Sequence, residues 1–225
     1  MANLLLADGF EDGTLNAWDR AISIVPFNAG AGAYAGSWVA RGDFVDNFNS
    51  RLEFNTGNLT KIYVKFRIKY ESTWPWGSLN NTKHCRVHDN TNYNGNGLFW
   101  TWFNGDAYFD GNRFGDEAAT CEGSGDTFQP SLNTWHLMEF YFDVAPGTSN
   151  GISWWKFNGA IIGEESNCAF AMSGSFIQQV YFLGNIGFGS VPNSYFQLDA
   201  VEIWDDVPTG GPTPPAAPTN LRLLP

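Results

Sequence analysis

Basic charge is scarce in this chain. Twelve Lys and Arg stand against 23 Asp and Glu, a formal net charge of −11 over 225 residues. That balance excludes a general nucleic-acid binder, which needs a strongly basic footprint for phosphate contacts. Cysteine is scarcer still: Cys85, Cys121 and Cys168 cannot all pair within one chain, and their spacing matches no zinc or redox motif. Buried free thiols are expected, with a Cys121 to Cys168 bridge as the alternative. Long apolar runs are also missing. The opening Met-Ala-Asn-Leu-Leu-Leu-Ala-Asp has no basic leader and too short an apolar stretch for a signal peptide or an anchor. The expectation is no membrane insertion, and an extracellular or virion-associated protein that is either trimmed at its start or released without a cleaved signal. Gly-x-Ser-x-Gly, His-Glu-x-x-His and a phosphate loop are absent, and no strand offers two inward carboxylates spaced for glycoside hydrolysis.

What is abundant is aromatic and turn-forming: 16% Phe, Trp and Tyr, ten of them Trp, and 25 Gly. Good helix formers never fall into a 3.6-residue pattern, so strands are expected throughout. The clearest is 62–70, where Ile62, Val64, Phe66, Ile68 and Tyr70 alternate with Tyr63, Lys65, Arg67 and Lys69. Residues 82–88 place Cys85 and Val87 inward and His84, Arg86 and His88 on the other face. Further strands are expected at 97–104, 135–144, 152–157, 177–183 and 195–204, with Phe10 and 38–41 starting the chain. Asn104-Gly105, Asp110-Gly111 and Asn158-Gly159 suit tight hairpin turns because these residues tolerate positive φ. Such short strands with turn signals between them predict an all-β, two-sheet antiparallel sandwich over residues 1–206. A Pro-rich linker and tail follow over 207–225, and its end, Pro218 to Pro225, is similar to the opening strand of a fibronectin-type module. Further modules in the same polypeptide are therefore expected.

Several landmarks resemble the concanavalin A-like, laminin G-like jelly-roll superfamily, which includes lectin-like modules and polysaccharide lyases. Phe10-Glu11-Asp12-Gly13-Thr14-Leu15-Asn16-Ala17-Trp18 resembles its first-strand signature. The stretch from Phe196 to Trp204 resembles its closing strand, which pairs with the first. The stretches Trp135 to Phe140 and Trp154 to Gly159 resemble a strand pair ending in a Trp-x-x-Asp-Gly turn, with Asn158 in place of Asp. The resemblance implies a jelly-roll fold over about residues 8 to 206. It also implies a calcium ion shared by the first and last strands, with Glu11, Asp12 and Asp199 as hard oxygen ligands; the competing account is that these carboxylates cap turns. The Glu-x-Asp-x-x-Glu strand of laminarinase-like hydrolases is absent.

Two constellations point to a glycan. Seven of the twelve Lys and Arg lie between Arg51 and Arg86, and if the strands that carry them pair, Lys65, Arg67, Lys69, His84, Arg86 and His88 form one cationic face. Arg51-Leu52-Glu53 is similar to the Arg-x-Glu strand of alginate-lyase-like jelly rolls, and Arg86-Val87-His88 stands where the family has Gln-x-His. Elimination across a uronic acid needs a cation to neutralise the carboxylate and a Tyr or His base, roles that Arg86, His88 and Tyr181 would fill. Trp74 and Trp76 in a loop, and Trp100 and Trp102 on a strand, offer flat apolar surfaces for pyranose rings. Basic residues also serve plainly to keep exposed strands soluble. The reading is a polysaccharide-binding module for acidic glycans, with a uronate-specific polysaccharide lyase and a structural or adhesive domain as alternatives.

Overall fold

A computed structural model describes residues 1–43, 51–72, 81–88, 97–103, 130–144, 151–168, 177–187 and 195–209. Alternating apolar side chains bury one face of each strand, and two sheets bring those faces together. The strands are β1 (Leu4–Asp8), β2 (Arg20–Ile22), β3 (Ile24–Asn28), β4 (Trp38–Asp43), β5 (Arg51–Leu59), β6 (Lys61–Tyr70), β7 (Asn81–His88), β8 (Gly97–Phe103), β9 (Trp135–Asp143), β10 (Gly151–Phe157), β11 (Ala160–Cys168), β12 (Ile177–Gly187) and β13 (Tyr195–Trp204). One sheet runs β11-β10-β9-β6-β13-β4-β3, with β1 also on β13; the other runs β2-β5-β12-β7-β8. Every pairing among the described residues is antiparallel.

The core between the sheets takes Ile62, Val64, Phe66 and Ile68 from β6 and Leu52, Cys85, Val87, Val180 and Phe182 from the five-stranded sheet, all nearly sealed from solvent. Phe182 stands edge-on to Phe66 at 4.9 Å and to Trp18 at 5.6 Å. Gly42 lies under the ring of buried Phe196, where a Cβ would come within 1.9 Å of Cζ. Gly42→Ala is therefore expected to cost about 1–3 kcal/mol through overpacking, measurable by urea unfolding.

The closing strand pairs with the first, as expected, but the first strand is Leu4–Asp8. Phe10, expected in a strand, instead follows β1 with a φ of 61° and stacks its ring on Trp18 at 6.3 Å. Asp8 explains the departure from the strand, since its carboxylate accepts both the Phe10 N–H and the Trp18 indole N–H, at 2.7 Å each. Asn158 and Gly159 both have positive φ, 50° and 82°, and close the β10–β11 hairpin. The turns at Asn104 and Asp110 lie outside the described residues, as does Cys121. Cys85 is a buried free thiol, its pKa pushed up by burial. At the far end of β13, Asp205 accepts hydrogen bonds from the backbone and side-chain nitrogens of Asn3, at 2.6 Å each.

Candidate active site

One expected face divides in two. β6 belongs to the eight-stranded sheet and β7 to the five-stranded one. Both bury their apolar sides in the same core, so their polar sides must look to opposite surfaces of the molecule. Lys65, Arg67 and Lys69 therefore leave the face that carries Arg86. Lys65 pairs with Glu202 at 3.0 Å, and Arg67 lies 4.3 Å from the Tyr34 ring centroid.

What remains on the five-stranded sheet converges. Leu52, Val180, Phe182, Cys85 and Val87 fill the core side, so Arg51, Glu53 and Asn55 of β5, Gln179 and Tyr181 of β12, and Arg86 of β7 occupy the opposite side. The register aligns them: Tyr181 stands opposite Glu53 on one neighbouring strand and opposite Arg86 on the other. Gln179 stands opposite Asn55 and His88, and its Nε2 donates to Asn55 Oδ1 at 3.0 Å. Arg86 Nη1 donates to the Tyr181 hydroxyl at 2.5 Å, with the guanidinium carbon 5.5 Å from the ring centroid. Arg51 pairs with Glu53, and its guanidinium lies 6.0 Å from the same ring.

Although they point away from the core, these groups are recessed. Arg51, Glu53, Gln179 and Tyr181 are each no more than 7% exposed, and Arg86 is 9% exposed. Burial pushes the Tyr181 pKa up, against the opposing pull of the Arg86 charge and hydrogen bond and of the Arg51 charge. The phenol thus keeps its proton at neutral pH while two cations stand ready to stabilise any negative charge that develops beside it. Such a site can hold an anion and deliver a proton.

The structure brings Arg51, Glu53, Arg86 and Tyr181 together on one face. Gln179, Asn55 and Arg20, which pairs opposite Glu53 on β2, complete the same face and were missed. The alternation of 177–183 would have revealed Gln179, since it shares parity with Tyr181. His84, His88, Trp100 and Trp102 lie on described strands, with His88 in register with Gln179 and Trp100 with Cys85, but their side chains fall outside the described residues. Trp74 and Trp76 lie wholly outside them.

The three carboxylates expected to hold calcium do not all gather. Asp12 turns to Thr14, accepting its N–H at 2.8 Å and its hydroxyl at 2.7 Å. Glu11 and Asp199 converge on one loop. Glu11 accepts the N–H groups of Ser37 and Trp38, and Asp199 Oδ2 accepts those of Tyr34 and Ala35 at 2.9 and 3.0 Å. Asp199 is fully buried, and its pKa is raised by that burial first, with the Glu11 charge adding to it. Gly36, at a φ of +60°, leaves room for Glu11, whose carboxylate a Cβ there would overlap at 2.1 Å. Among the described residues no group of three His, Cys, Asp or Glu could hold a metal.

No protein-family model and no curated protein sequence matches the chain. Solved structures do. An endo-β-1,4-glucuronan lyase from the fungus Trichoderma reesei superposes with a TM-score of 0.64 at 13% identity, covering 89% of this chain and 95% of that one. An alginate lyase from Chlorella virus gives 0.56 at 13%, covering 89% and 99%. The cellulose-induced protein Cip1 gives 0.58 at 18%, covering 88% and 96%. Two antiparallel sheets, a closing strand laid against the first, and superposition on these proteins over nearly their whole length establish that the chain has the concanavalin A-like jelly-roll fold.

Proposed function

We propose that the protein is a polysaccharide lyase that cleaves a uronic-acid-containing glycan by β-elimination on the five-stranded sheet. The observation that carries this reading is the buried Tyr181 hydroxyl in contact with Arg86, with Arg51 near the same ring. The Arg86 guanidinium, with the Arg51–Glu53 pair beside it, neutralises the uronate carboxylate and so acidifies the proton on the carbon that bears it. His88, beside Gln179 in register, takes that proton. The released electron pair becomes the new carbon–carbon double bond, the bond from the next ring carbon to the glycosidic oxygen breaks, and Tyr181 gives its proton to that oxygen. The lyase names of the solved neighbours support this choice over hydrolysis. An extracellular or virion-associated setting fits a glycan substrate, and no described helix is long and apolar enough to cross a membrane.

Incubation with alginate, glucuronan, pectin and heparin tests this reading, with ultraviolet absorbance reporting the unsaturated uronate. One substrate should give rising absorbance, and silence on all four overturns the lyase assignment. Because burial holds the proton on Tyr181, activity should persist through mildly alkaline pH and fall only above the ordinary phenol range of about 10. A second reading, binding without cleavage, rests on one sequence departure, Arg86 where the alginate-lyase-like jelly rolls have Gln. It predicts saturable glycan binding with no product.

Calcium belongs to this proposal through Glu11 and Asp199, with Asp12 left out. Two carboxylates beside one loop, one of them fully buried, would offer a hard divalent cation oxygen ligands in place of the backbone N–H groups they now accept. Calcium at tenfold above its Kd is then expected to add about 1.4 kcal/mol, raising Tm by about 3–6 °C. Calorimetry with and without a chelator measures this, and Asp199→Asn should abolish the difference.

A further inference from the structure

The outer surface of the eight-stranded sheet carries a second, separate cluster of cations and rings. Trp135, Lys69, Gln197 and Arg41 stand in one row across β9, β6, β13 and β4, because Lys69 is opposite both Trp135 and Gln197, and Gln197 is opposite Arg41. Gln197 sits between buried Phe196 and Leu198, so the row belongs to the side away from the core. Arg67 shares that side two residues along β6. Each cation lies against an aromatic ring. Arg41 is 3.5 Å from the Tyr195 centroid and 4.7 Å from that of Phe27, Lys69 is 5.0 Å from that of Trp135, and Arg67 is 4.3 Å from that of Tyr34.

Part of this cluster is structural. Lys69 Nζ and Trp135 Nε1 both donate to Gly32 O, at 2.9 and 3.0 Å, and tie the 3-10 turn Gly30–Gly32 to the sheet. Arg67 and Tyr34 take no part in that tie, and Tyr34 is 46% exposed. Among the described residues Arg67 and Lys69 make no ion pair, although Asp199 stands opposite Arg67 in register, whereas Lys61 and Lys65 on the same strand do. The nearby carboxylates are engaged elsewhere: Asp199 accepts three backbone N–H groups, and Glu71 accepts Gln197 Nε2 at 2.7 Å. Because Glu71 can only accept, it fixes the Gln197 amide, and Gln197 Oε1 is left buried without a partner on a residue only 4% exposed.

We propose that this surface is a second glycan site, which holds an acidic polysaccharide away from the reacting face. Arg67 and Lys69, without an ion pair among the described residues, match carboxylates, and exposed Tyr34 offers a flat ring to a pyranose. A bare phosphate has no apolar face to use the rings. On a chain of net charge −11, such a local cationic surface gives a polyanion a defined place to land.

Native electrophoresis through gels containing polyuronate tests the proposal, with a neutral glucan and RNA as comparison polymers. The Tyr181→Phe background keeps the polymer intact. Adding Arg86→Ala should leave substantial retardation by polyuronate, and adding Arg67→Gln or Tyr34→Ala should then weaken it about tenfold, the loss of about 1.4 kcal/mol. The effect should shrink as salt rises. Tyr34→Ala, at an exposed ring, serves if Arg67→Gln lowers Tm. The proposal is overturned if Arg86→Ala alone removes all retardation, if neither outer-surface variant changes it, or if RNA or neutral glucan is retarded equally. Failure of the lyase reading is seen separately, as missing product, and leaves this result standing.

Discussion

Tyr181→Phe is expected to reduce elimination by about 10²–10⁴-fold, the usual contribution of a positioned proton donor, while the fold is kept. The substitution removes one oxygen and leaves the ring, so the ring's positions opposite Glu53 and Arg86 and near the Arg51 guanidinium persist. What disappears is the acceptor for Arg86 Nη1 and the proton for the departing glycosidic oxygen. Because Arg86 then loses a buried partner, stability should fall by about 1–3 kcal/mol. Substrate binding should survive, since both cations remain, so the loss belongs in kcat rather than in KM. Initial rates on the polyuronate that gives product, measured with circular dichroism on the same samples, decide the matter. A variant that stays folded and retains more than about a tenth of the activity would remove Tyr181 from the proton-transfer step.

The largest effect on stability is expected one residue later. Phe182→Ala should cost about 3–5 kcal/mol, lowering Tm by about 6–20 °C for a domain of this size. Tyr181 and Phe182 are neighbours on β12 that face opposite ways, one into the site and one into the core. The Phe182 ring meets Phe66 of the other sheet at 4.9 Å and Trp18 at 5.6 Å, and no part of the side chain reaches solvent. Truncation leaves a void bordered by both sheets, which strands held by ladder hydrogen bonds can close only in part. Phe182→Leu should cost distinctly less. Urea unfolding of both variants measures the difference, and a loss below about 1 kcal/mol for alanine would mean that the two sheets do not depend on this contact.

Alternation made much of the site legible. Arg51-Leu52-Glu53 and Arg86-Val87-His88 each announce a strand with one apolar residue between two polar ones, and burial of Leu52 and Val87 fixes which way Arg51, Glu53 and Arg86 face. The Asn158-Gly159 hairpin was readable for a similarly local reason, the tolerance of both residues for positive φ. Which strands become neighbours was not readable. β6 and β7 follow one another in the chain and share the same pattern, yet a sandwich sends them to opposite sheets, because each apolar face needs another to cover it. That non-local choice separated Arg67 from Arg86. The loop clasped by Glu11 and Asp199 escaped notice as well, because backbone N–H groups carry no signature in the sequence.

The clasp between Asn3 and Asp205 places the start of the first strand beside the end of the last. A short bridge joining these two positions would close the domain into a ring without disturbing any strand pairing, and new ends could then be opened at an exposed turn such as Asn158-Gly159. Entry and exit at a single corner also let the whole sandwich be spliced into a surface loop of an unrelated host, leaving both of its broad flanks uncovered.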